Sequence, residues 1–474
     1  MGLEVGRQAT AKPQPAHDLL AAGCALSLAV LAAVAAFTES PLAWDGSHYL
    51  FRLINETSIF VPFHRYTAAA WQAPAVVAWW LTGSLAACRF IYCATLAGVP
   101  LLAFAASWWM LRERKPSDDL LAWVAVGVTF PTLPAQIFFV AESVQALQLS
   151  WPLIVAAAVT PTRARVGFAS VWTAALFFLH PFSALGIGAA ALVALRNANL
   201  ARRRRLIAAA VLTATAVARV LWLDAVESQR VSRGAHALLR FFRAGAPMLA
   251  NMLILVALSL VVVAAVTERP RLARAGRFAA AACGVVAAFL LVSFYVDPSQ
   301  WRAAYLARYS LPLLAVPTFG LFLASHWLGN RRRAASPGAS LRLAALAACA
   351  LVAFAVSYQS ITWSKTATRV LSSFPPGCSD GAKVTRLPRQ ARMLNHWSIS
   401  PLSLVRGIND SAAPVLIHKG TCANVACSGR YWASPHHRVG VSATPFEALS
   451  SVIESPTYRS ACASSFVGER PPTH

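Results

Sequence analysis

Charge is what this sequence has least of. Only 13% of its 474 residues are charged and 57% are hydrophobic, against about 25% charged in ordinary soluble domains. Such a chain does not have water as its main solvent. Acids are scarcer still: 18 Asp and Glu stand against 42 Lys and Arg, a formal net charge of +24. Walker loop, dinucleotide glycine fingerprint and HExxH are all missing, which removes the sequence signatures of P-loop, nucleotide-cofactor and zincin chemistry. Nucleic-acid binding is rejected as well, because the basic residues lie between apolar segments instead of on one soluble face. No convincing internal repeat occurs, and that counts against a repeat-built transporter.

What the chain does have is long apolar stretches. Residues 18–37, 87–111, 247–266, 278–296, 309–328 and 341–358 are the clearest, each matching the ~20 residues a helix needs to cross ~30 Å of hydrocarbon. They show no period-two alternation, so they read as helices that satisfy their own backbone groups in lipid. With the amino terminus in the cytoplasm, residues 18–37 cross outward. Residues 66–82 carry Pro74, Trp71, Trp79 and Trp80, a composition suited to an interface helix. If they crossed, Arg112–Lys115, Arg202–Arg205 and Arg331–Arg333 would all face outward, so residues 38–86 are read as one long outer loop.

Residues 87–111 then return, and 118–136 and 143–159 form an outward-and-back pair. Residues 166–195 must start and finish inside, so they split into two short helices turning at His180-Pro181, where proline disfavours helix at the preceding residue. Residues 206–223, 247–266, 278–296, 309–328 and 341–358 complete the set. The expected fold class is an all-α polytopic membrane protein of about eleven transmembrane helices, amino terminus in and carboxyl terminus out. Arginine dominance over lysine and abundant alanine fit a GC-rich bacterial genome, hence a bacterial inner (plasma) membrane location.

Residues 1–358 are read as the transmembrane domain and residues 359–474 as a small soluble domain on the periplasmic side. Four of the nine cysteines lie in that tail: Cys378, Cys422, Cys427 and Cys462. An oxidising compartment favours disulfides among them, while the spacing of Cys422 and Cys427 near His418 leaves a zinc site open. Cys24, Cys88, Cys93, Cys283 and Cys349 read as small packing residues.

Two scarce acids belong to the outer face. Asp45 follows the first span in Trp44-Asp45-Gly46-Ser47-His48-Tyr49, and Glu142 sits at the turn between the third and fourth spans. Converging on one cavity, they would serve as general base and as orienting partner or ligand for a divalent cation, Mg or Mn. Each also has a plain structural reading as an anion at a helix start. Tyr49, His64, Arg65, His180 and Arg308 are the candidate substrate-binding residues. Arg308 lies in Arg308-Tyr309-Ser310-Leu311-Pro312, where it either pairs with a phosphate or snorkels to lipid headgroups.

This plan resembles the GT-C class of membrane glycosyltransferases. The resemblance rests on an aspartate soon after the first span, a long first outer loop, a second acid at the next outer turn and an Arg-Tyr…Pro element late in the chain. It implies transfer of a sugar from a polyprenyl-phosphate carrier to a glycan or protein acceptor at the outer face, with inversion. Asp45 would act on the acceptor hydroxyl, and Arg308 and Arg65 on the leaving phosphate. The sequence departs from the pattern where Gly46, not a second acid, follows Asp45. The alternatives are a transporter or flippase for a lipid-linked or anionic solute, and a non-catalytic envelope scaffold.

Overall fold

The computed structural model describes residues 15–56, 59–61, 64–112, 118–135, 139–223, 227–228, 246–267, 270–296, 311–331, 338–372, 402, 405–406, 415–418, 421–424, 430–434 and 437–440. Helices account for nearly all of it. In chain order they are α1 (Pro15–Phe37), α2 (Asp45–Glu56), α3 (Ala68–Thr82), α4 (Leu85–Ala97), α5 (Val99–Leu111), α6 (Asp118–Thr129) and α7 (Glu142–Ala158). There follow α8 (Arg163–Phe177), α9 (Ser183–Arg196), α10 (Arg202–Leu221), α11 (Ala246–Val266), α12 (Pro270–Val296), α13 (Leu311–Arg331) and α14 (Gly338–Ser372). Two short antiparallel hairpins lie in the tail: β1 (Val415–His418) with β2 (Thr421–Asn424), and β3 (Arg430–Ser434) with β4 (His437–Gly440).

Among the described residues, three helices are long and apolar enough to cross a membrane: Leu19–Phe37, Pro270–Ser293 and Ala339–Leu371. A fourth span results if the bent pair Leu85–Ala97 and Val99–Leu111 counts as one. The sequence reads 87–111 as one straight crossing, but the structure breaks it by 52°. Pro100 is the reason, since it has no N–H for the carbonyl four residues back and its ring crowds that turn. The break at His180-Pro181 falls where the sequence places it, between α8 and α9. At the end of the helical region, α14 runs on to Ser372, so the boundary expected at residue 358 falls inside a continuous helix.

The core gathers around α7, which is buried along almost its whole length and packs on α5, α6, α8 and α9. A helix hidden on all sides must satisfy its polar residues within the protein. Gln145 Nε2 donates to Phe139 O (2.7 Å), Gln148 Nε2 to Val128 O (3.2 Å), and Ser150 Oγ to Ala146 O (2.7 Å). Gly127 of α6 lets the neighbouring helix approach, since a Cβ there would fall inside the Trp151 ring; small residues serve such close helix contacts.

The two ends of this body differ in charge. At one end lie the finish of α1, the start of α4, Glu142 at the start of α7 and Arg219 near the finish of α10. At the other lie the start of α8, where Arg165 Nη2 donates to Met110 O (3.2 Å), and the finish of α9, where the Arg196 guanidinium lies 5.1 Å from the Trp327 ring centre. The run Arg202–Arg205, exposed at Arg202, Arg203 and Arg204, opens α10 at that second end.

Candidate functional site

The first end gathers acids in a chain that has few. Arg65 is the centre. Its Nη1 donates to Glu142 Oε2 at 2.9 Å, and its Nε and Nη2 donate to Glu227 Oε1 at 3.1 and 3.0 Å. Arg219 adds a second cation, with Nη2 3.5 Å from Glu227 Oε2. Tyr49 completes the chain by donating from its hydroxyl to Glu142 Oε1 at 3.3 Å. Arg65, Glu142, Glu227 and Arg219 are all buried, with relative exposures of 3–6%. Among the described residues two acids stand against two arginines here, and pairing of this kind offsets the cost of burying charge.

Local structure explains each placement. Asp45 opens α2, and Tyr49 follows one helical turn later on the same face. Arg65 lies in the strand of chain before α3, and that chain is pinned on α8: Thr67 N donates to Phe178 O (3.3 Å) and Thr67 Oγ1 to Ala175 O (2.6 Å). Gln72 holds the preceding loop through Phe60 N and Phe60 O, and the Phe60 ring packs 5.0 Å from that of Tyr49. Glu142 begins α7, where the helix dipole favours an anion.

Among the described residues, the non-glycine residues with positive φ are Glu39 (54°), Trp44 (56°) and His64 (57°). All three flank this end. Left-handed backbone costs a non-glycine residue about 1 kcal/mol or more, so the surrounding contacts hold these turns in place. Gly46 has a separate cause. A Cβ there would lie 1.7 Å from Pro41 O, and Tyr92 Oη donates to Gly46 O at 3.1 Å. The second acid that the resemblance calls for after Asp45 has no room for a side chain.

Electrostatics tie Asp45 to the same place. Burial pushes the Tyr49 phenol well above its usual range, and the Glu142 and Asp45 carboxylates push it further, while Arg65 opposes them. Burial works against the Arg65 guanidinium, but Glu142, Tyr49 and Glu227 outweigh it and hold the charge more firmly than usual. Asp45 is only partly buried, so of these carboxylates it is the one that borders solvent.

Of the residues singled out from sequence, Asp45, Tyr49, Arg65 and Glu142 come together. Arg65 was expected to face a leaving phosphate; here it is held by two carboxylates and buried. Glu142 was expected to serve as second acid or metal ligand; here its two carboxylate oxygens are taken up by Tyr49 and Arg65. The Glu142–Arg65 arrangement does not fit a resident metal, and no group of three His, Cys, Asp or Glu gathers among the described residues. His64 is exposed and stacks on Trp222, ring centres 6.0 Å apart. His180 shapes its own turn: Nδ1 accepts from Phe182 N at 3.1 Å, and its carbonyl accepts from Ser183 Oγ at 2.7 Å. Arg308 lies outside the described residues, as do Cys378, Cys427 and Cys462; Cys422 lies in β2.

Sequence reasoning missed Glu227 and Glu39. With only 18 acids in the chain, both are open to the same survey that singles out Asp45. Between α6, α11, α12 and α14 lies a mostly apolar cavity of about 480 Å³, lined by Phe130, Leu133, Ile254, Leu258, Gly284 and Val352 among others. Comparison with family models, curated proteins and solved structures finds no match to this chain.

Proposed function

We propose that this chain is a multi-pass membrane glycosyltransferase of GT-C architecture, moving a sugar from a polyprenyl-phosphate carrier to a glycan or protein acceptor. In this reading about eleven helices span the membrane, the end carrying Glu142 faces out, and the end carrying Arg165, Arg196 and Arg202–Arg205 faces in, as the positive-inside rule favours. The single observation that carries it is the gathering of Asp45, Glu142, Glu227, Arg65 and Tyr49 at one end of a body otherwise poor in acids. Ionisable groups concentrated in one place in so apolar a chain mark function more often than packing.

The division of labour follows from burial. Asp45 borders solvent and takes the proton of the acceptor hydroxyl as that oxygen attacks the anomeric carbon. The bond from that carbon to the carrier phosphate breaks, and the phosphate leaves with its electron pair. Tyr49, Glu142, Arg65 and Glu227 do not touch the reacting atoms; they fix the wall against which Asp45 works, and preorganised walls of this kind are worth several orders of magnitude in rate. His64 and Arg308 remain for the leaving phosphate. The apolar cavity has the chemistry of an isoprenoid chain.

The test is Asp45→Asn in purified full-length protein, assayed with radiolabelled polyprenyl-phosphate hexoses and pentoses in lipid nanodiscs. Loss of at least about a hundredfold in kcat with normal insertion supports the assignment, and undiminished transfer ends it. The second reading, a flippase for an anionic lipid, calls for charge deep within the spans, whereas Arg219 lies near the end of α10 beside Glu227. That reading expects movement of a fluorescent polyprenyl phosphate across proteoliposomes with no transfer to acceptor.

A further inference from the structure

Beyond α14, three residues of the tail are built into the helical body. Leu402 and Val405 are buried at 1% and 0% exposure, and Arg406 at 7%. Arg406 Nε donates to Glu39 Oε2 at 2.9 Å and its Nη2 to Thr38 O at 3.2 Å. Its guanidinium lies over the Trp363 ring of α14, 5.1 Å from the centre. Arg89 of α4 closes the ring of contacts. Its Nη1 donates to Val405 O at 2.9 Å, and its Nε stands 3.0 Å from Glu39 Oε1, an ion pair rather than a linear hydrogen bond. The Glu39 carboxylate thus joins the exit of α1 to α4 and to Arg406, and Arg406 in turn packs on α14.

Glu39 is no ordinary anchor point. It holds left-handed backbone at the exit of α1, and a run of tight turns leads from it to the site. Leu42 N donates to Glu39 O (3.0 Å), Ala43 N to Ser40 O (2.9 Å), and Gly46 N to Ala43 O (3.2 Å). Ser40 Oγ donates to Ser360 Oγ of α14 at 2.8 Å, and Trp44, the second left-handed residue, immediately precedes Asp45. These turns follow one another directly from Glu39 to the start of α2.

We infer that Arg406 is a positioning residue: by clamping Glu39 and Thr38 it holds the Thr38–Gly46 turn in the conformation that presents Asp45. The role of Asp45 rests on the function proposed above; the ordering of the turn does not. Arg406 and the buried Leu402 and Val405 are then part of the site's framework.

The experiment uses full-length protein in lipid nanodiscs as wild type, Arg406→Gln and Arg406→Lys. Hydrogen–deuterium exchange is read over residues 40–47 and, as internal reference, over α7. In Arg406→Gln the turn exchanges about tenfold faster or more while α7 is unchanged. Arg406→Lys keeps a cation on Glu39 without the second prong, and it falls between. With radiolabelled polyprenyl-phosphate hexose, Arg406→Gln lowers kcat about tenfold at unchanged KM, the signature of a displaced catalytic group rather than lost binding. Unchanged exchange over 40–47, a uniform rise across all helices, or a loosened turn with full kcat each overturn the inference. If Arg406→Gln fails to fold, Arg406→Lys against wild type carries the same comparison. Asp45→Asn is run alongside. If it turns over like wild type, the proposed function fails, and exchange alone decides whether Arg406 orders the turn.

Discussion

Replacing Arg65 by methionine is the sharpest test of the buried network. Arg65 makes three charge-assisted hydrogen bonds of 2.9–3.1 Å to two carboxylates, and the side chains involved are only 4–7% exposed. Little solvent reaches these groups to screen the loss. Methionine fills most of the volume but takes away the cation closest to both acids, leaving Glu142 to the Tyr49 hydroxyl and Glu227 to the more distant Arg219. Removing one partner of a buried ion pair costs about 3–5 kcal/mol. At roughly 2 °C per kcal/mol in a chain this large, intrinsic tryptophan fluorescence in detergent should show unfolding about 6–10 °C lower. The double variant Arg65→Met with Glu142→Gln removes one of the stranded charges, so it should be more stable than Arg65→Met alone, which a double-mutant cycle quantifies. A shift below about 2 °C, or a double variant as unstable as the sum of its parts, would show that the network does not hold this end together.

Two further outcomes follow from the same geometry. Gly46→Ala drives a methyl into Pro41 O; overpacking of this kind costs about 1–3 kcal/mol, and it should move α2 and depress transfer more than Ser47→Ala nearby, as activity assays and thermal unfolding of both variants would show. Tyr49 has a folded-state pKa raised above its unfolded value near 10, burial being the chief cause. Its hydrogen bond to Glu142 therefore contributes fully below about pH 10 and is lost as pH rises through the folded value. Stability should fall on the alkaline side in wild type and less steeply in Tyr49→Phe, which chemical denaturation across an alkaline pH series would reveal.

Asp45 and Glu142 are legible in the sequence, because a chain with 18 acids makes each carboxylate conspicuous. So is the helix break at His180-Pro181, since proline's restriction is local and covalent. The bend before Pro100 obeys the same rule, but there the proline is hidden within one long apolar run. Composition and spacing determined that the chain is helical and apolar and that its charge is sorted along its length, because these are properties of neighbouring residues. The tertiary structure alone decided which charges meet. Arg65 finds Glu142 and Glu227 at separations of 77 and 162 residues, and Arg406 finds Glu39 across 367. Helices that are apolar on every side carry no stripe to say which face packs where. Those partnerships are settled only when close packing brings the ends of distant helices together and the few buried charges must find one another.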